Sequence, residues 1–166
     1  MGHDISAYIK TKSTSQEDVG MRCDNEVAYF RINAFNTPRQ RMFYGLLTGS
    51  ESANAGVSGN GSTLNFTRGD IETAIEACKY YLDDETAVYD NLITDPVGDE
   101  SNKEMFVSIF EKIFPDSASL FQVTEATVDD IRENIADIWK FHEDILSAYD
   151  DVKSKDDSAH IQIYFG

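Results

Sequence analysis

The chain has 166 residues and a formal charge of -16, with 41% apolar and 11% aromatic residues. That size bounds one domain, residues 1–166, able to bury a core, and the apolar content excludes wholesale disorder. No apolar run reaches the roughly 18 residues of a membrane-spanning helix, so no membrane is expected as a partner.

The charge is unevenly placed. Residues 1–66 carry six basic and six acidic residues, leaving eight basic and 24 acidic residues in 67–166. Phosphate binding needs cations at the surface, so nucleic acid is the partner this field disfavours most. A basic protein partner, or plain solubility, fits it better. The opening MGHDISAYIKTKS lacks the basic and apolar regions of a secretory signal. It fits the loose pattern for Gly2 acylation, but one acyl chain anchors only marginally and the chain has no basic patch to add to it. Cys23 and Cys78 suggest free thiols in a reducing compartment. The expectation is a soluble, cytoplasmic protein.

Asp4 to Lys10 alternates, with Ile5, Ala7 and Ile9 on one face and Ser6, Tyr8 and Lys10 on the other. Period two predicts a strand. Residues 11–25 are polar and turn-rich, a surface loop. Glu26 to Ile32 is aromatic and β-branched, a second strand pairing antiparallel with the first. Thr37-Pro38 resembles a helix start, with Phe43, Met42, Leu46 and Leu47 on a buried side and Gly49 as the stop.

Thr67 with Asp70 forms a capping-box pair. Ile71, Ala74, Ile75, Cys78 and Leu82 then mark an amphipathic helix. Residues 83–102 are acidic and broken by Pro96 and Gly98, a loop or mobile connection. A helix from about 102 carries Met105, Phe106, Ile109, Phe110 and Ile113 inward and ends at Pro115. Thr127 and Asp130 open a last helix, whose seam is Ile131, Ile135, Ile138, His142, Ile145, Tyr149 and Val152. Lys153 to Ser158 is a polar turn. His160 to Phe165 alternates again, a closing strand. The fold class is α+β: a small antiparallel sheet that includes both terminal strands, covered by about four helices.

Three groups of residues invite a functional reading. Gly56, Gly59 and Gly61 match neither the dinucleotide fingerprint nor a phosphate-binding Walker loop. They still allow an anion nest, with Ser58 and Asn60 adding hydrogen bonds and Arg68 at the next helix start. Arg31 or Asn36 would complete such a site for a nucleotide or phosphate. The competing reading is a hairpin, because Asn60-Gly61 is the preferred pair for a tight turn. His3, Asp4 and His160 form a metal candidate if the terminal strands pair. His142 reads as a core histidine with one hydrogen-bond partner. No nucleophile elbow, zinc-protease motif or EF-hand loop is present, so catalytic residues and cofactors stay unassigned.

Met1-Gly2-His3-Asp4-Ile5, Glu26 to Arg31, Ala34-Phe35-Asn36, and Gly56 to Gly61 before Phe66-Thr67-Arg68 occur in a suggestive order. Over its first half the chain resembles small bacterial and phage proteins that open with Met-Gly-x-Asp and a strand. The resemblance implies no activity. It implies that the first strand, the Asn36 turn and the glycine loop share one surface. Three functions follow in order: a binding or regulatory protein of microbial or phage origin with an acidic helical surface for a basic partner; a small-ligand protein using the glycine loop; and a hydrolase or transferase centred on His3, Asp4 and His160.

Overall fold

Alternation in the first strand puts Ile5 and Ala7 on a face that only a core can satisfy, and the chain builds that core from its two ends. In a computed structural model, the described residues are 3–17, 19–20, 23–33, 43–44, 46–47, 61–79 and 125–166, with side chains at all but 3 and 125–131. Among these residues four strands are formed: β1 (His3–Lys10), β2 (Ala28–Ile32), β3 (Ser62–Phe66) and β4 (His160–Phe165). Among the described residues two helices, α1 (Arg68–Lys79) and α2 (Glu125–Lys155), lie between β3 and β4 in sequence.

The sheet order is β2-β1-β4-β3 and every neighbouring pair is antiparallel. The terminal strands are therefore the two central strands. Ile5 faces both Phe30 and Phe165, and Ala7 faces both Ala28 and Ile163. This row joins Ile71, Ala74, Ile75 and Cys78 of α1 and Ile135, Ile138, Phe141 and Ile145 of α2 in one buried cluster. Phe43 stacks on Phe30 with ring centroids 4.7 Å apart and meets Phe141 edge-on at 5.5 Å. Those are the offset and T-shaped geometries that aromatic quadrupoles favour.

The opposite face of β1 is also buried, unlike a sheet face left to solvent. Ser6, Tyr8 and Lys10 are at most 1% exposed. The cause is the segment after β1. Lys10 Nζ donates to the carbonyls of Thr14 (3.3 Å) and Glu17 (2.9 Å), and Tyr8 OH donates to the Gly20 carbonyl. The expected surface loop thus has exposed tips and an anchored base.

Local chemistry explains the helix ends. Thr67 Oγ1 accepts from the Asp70 amide at 3.1 Å, and the Asp70 carboxylate accepts from the Thr67 amide at 2.8 Å. This is the reciprocal capping box, and it starts α1 at Arg68. Thr127, in contrast, lies inside α2, which runs from Glu125. At its other end α2 continues through Lys155 where a turn is expected from Lys153. Lys155 pairs with Asp151 one turn back, and Lys153 and Lys155 suit the negative end of the helix dipole. β2 starts at Ala28 because Glu26 is held in a turn, its amide donating to the Cys23 carbonyl at 3.0 Å.

Of the helix expected after Thr37, Phe43, Tyr44 and Leu46 are helical, and these three and Leu47 are buried. Its remainder, the connection at 83–102 and the helix from about 102 lie outside the described residues. No helix among the described residues is long and apolar enough to cross a membrane.

Candidate functional site

The sheet register separates the metal candidates. His3 pairs with Ile32 at one end of β1, while His160 pairs with Lys10 at the other. Seven residues at about 3.3 Å each put some 23 Å between them. The terminal strands do pair, as expected, but antiparallel pairing of their full lengths sends His160 away from His3. The Asp4 carboxylate is occupied as well. It accepts from Tyr29 OH and, at 3.1 Å, from Arg31 Nη1. Among the described residues no three His, Cys, Asp or Glu side chains form a group that could hold a metal ion.

Of the glycine-loop set, the structure describes Gly61, Arg31 and Arg68. Gly56, Ser58, Gly59, Asn60 and Asn36 lie outside the described residues. Gly61 has φ of 69°, the left-handed region, and its amide donates to the Phe165 carbonyl at 2.8 Å. That is what a glycine in a tight turn entering β3 does. Arg31 is on β2 and Arg68 follows β3, at opposite edges of the sheet. Arg68 is also committed. Its Nε and Nη2 donate to the two oxygens of Asp150 at 2.9 and 3.0 Å, and its Nη1 bonds Glu72. The Asp150 and Glu72 contacts hold the guanidinium above its already high pKa, and Arg68 holds the Asp150 carboxyl below its usual range.

These same contacts define a different feature. Arg68 at the start of α1 meets Asp150 late in α2, and Lys79 at the end of α1 lies 5.8 Å from the Trp139 ring centre, earlier in α2. The two helices therefore run antiparallel, side by side. A groove of about 680 Å³ lies between them. Ile75, 6% exposed, and half-buried Leu146 form its apolar base. Glu72 and Glu76 stand on the α1 side, Glu143 and Asp150 on the α2 side, and Lys79 closes one end.

The spacing that builds the groove is helical. Glu72 and Glu76 are four apart, and Glu143 and Asp150 seven apart, so each pair shares a face of its helix. Each pair flanks the apolar stripe that buries that helix. Glu76 and Glu143 have no ion-pair partner among the described residues. A spread row of carboxylates over an apolar base suits an extended cationic ligand that also carries carbon stems.

The groove was legible only in part. The acidic outer face of the last helix is plain in the sequence, but which acids meet those of α1 depends on how two helices 46 residues apart in sequence come together. His142, expected as a core histidine, is fully buried with Nδ1 donating to the Ile138 carbonyl at 2.7 Å. Cys78 is a buried thiol, and burial pushes its pKa up to about 12, so it is inert at neutral pH. No family model, curated protein or solved structure matches this chain.

Proposed function

We propose that this chain is an acidic interaction module, of microbial or phage origin, that docks a basic segment of a partner protein in the groove between α1 and α2. The observation that supports the reading is the pair Glu76 and Glu143, unpaired among the described residues and set beside the apolar base of Ile75 and Leu146. The carboxylates of the groove outnumber its one lining cation, Lys79, and a cationic partner relieves their mutual repulsion. The apolar base adds burial, which charge alone does not supply. Two free cysteines, Cys23 and Cys78, fit action in the reducing cytoplasm.

Polylysine binding followed at two ionic strengths tests the reading. Raising salt from about 50 mM to about 500 mM shortens the screening length several-fold, and affinity should fall at least tenfold. Glu76→Lys with Glu143→Lys should weaken binding at low salt, whereas Glu133→Lys, outside the groove, should weaken it less. Binding that ignores both salt and the groove substitutions would sink the proposal.

A further inference from the structure

Directly after β1 the sequence reads Thr11-Lys12-Ser13-Thr14-Ser15-Gln16-Glu17, a run without an apolar residue. None of its side chains joins the buried cluster. The contacts that hold it down are polar. Lys10 Nζ donates to the carbonyls of Thr14 at 3.3 Å and Glu17 at 2.9 Å, and the Lys12 amide donates to Ser158 Oγ at 3.0 Å. Within the run, the Thr14 amide donates to the Thr11 carbonyl, the Glu17 amide to the Thr14 carbonyl, and the Thr11 amide to Thr14 Oγ1 at 2.8 Å. We propose that residues 11–17 form a strap that opens as a unit while the sheet stays folded, and that opening turns Lys10 from a buried cation into an exposed one.

Two features separate this opening from unfolding of the whole domain. A segment that buries no apolar side chain loses only polar contacts when it lifts, and water replaces those. The second feature is Lys10 itself, 1% exposed. Its ion pair with Glu17 is long, 4.0 Å, and the Glu17 side chain is 52% exposed. The two neutral carbonyls and the Tyr8 ring, 5.8 Å away, supply the rest of its surroundings. A desolvated charge held in this way regains hydration on exposure, which offsets part of the bonding lost. The Lys10 backbone, in contrast, is paired with His160 of β4. Strand β1 therefore keeps its place, and the strap hinges just beyond Lys10.

The test exposes the full chain to a brief pulse of an N-hydroxysuccinimide ester and reads acylation of each lysine by tandem mass spectrometry. Lys12, exposed on the strap, is the internal reference. Lys10 should label more slowly than Lys12. Its rate should not depend on urea below the unfolding transition, because a small opening uncovers little surface. Ile163→Val, which loosens the sheet centre, should leave the Lys10 rate unchanged. Thr14→Ala removes the partner of the Thr11 amide and should raise that rate about fivefold, the effect of one neutral hydrogen bond. A Lys10 rate that climbs with urea and with Ile163→Val tracks global unfolding and overturns the proposal. A native rate equal to that of Lys12 overturns it too, since the ammonium would then never be covered. An unchanged Lys10 rate in Thr14→Ala shows that the strap does not control access, with the same consequence.

Discussion

His142 donates through Nδ1 to the Ile138 carbonyl and leaves Nε2 buried without a partner among the described residues, against the rings of Phe43 and Phe141. Burial pulls its pKa down to about 4, with the Ile138 carbonyl opposing the shift only in part. The unfolded chain takes up this proton near pH 6.5, before the folded chain does. The contribution of the neutral ring is therefore whole above about pH 6.5 and lost as pH falls toward 4. At roughly 1.4 kcal/mol per pH unit, the loss is on the order of 3 kcal/mol. Urea unfolding at several pH values should show this slope, and His142→Leu should flatten it; an equal slope in both proteins would assign the effect to other groups. Lys10 poses the opposite case, a cation 1% exposed and held by two carbonyls. Lys10→Met should cost about 1–3 kcal/mol, because those carbonyls lose their donor. The same variant should raise amide exchange at the segment after β1.

At the scale of the elements, start signals were readable and lengths less so. The Thr67 and Asp70 pair marks the start of α1 because both partners lie within one turn of chain. Thr67→Ala or Asp70→Ala should each cost about 1 kcal/mol in denaturant unfolding. Thr127 carries the same motif but lies inside α2, which runs from Glu125. A capping motif states a local preference, and neighbours with helical propensity override it. Gly61 enters β3 with φ of 69° and open space where a Cβ would be. Gly61→Ala should thus cost about 1 kcal/mol from backbone strain alone, without any clash. Gly61→Asn should cost less, since Asn tolerates that conformation; similar losses for Ala and Asn would contradict a backbone origin.

For the whole molecule, the -16 charge stands against a sheet whose central strands come from opposite ends of the chain. Like charges crowd on folding, so added salt should raise the thermal midpoint until screening saturates. A midpoint that falls with salt would show that the ion pairs outweigh the repulsion. The sheet centre is the most sensitive place to damage. Ile163 is fully buried and pairs with residues of both β1 and β3. Ile163→Ala should cost about 2–5 kcal/mol, several times the loss at either cap.

The sequence by itself determined β1, β2 and β4, their alternation, the capped start of α1 and the apolar seam of α2, because each depends on residues at most a few turns apart; β3 was legible only as a hairpin competing with a ligand loop. It also indicated that the first and last strands are neighbours. The tertiary structure alone decided the direction and register of that pairing, which carry His3 and His160 to opposite ends of β1. It decided as well that Arg68 is consumed by Asp150, 82 residues away, and that α1 and α2 enclose a groove. Those outcomes depend on how whole faces bury one another. Burial is non-directional, so periodicity names the face an element hides without naming the element it hides against.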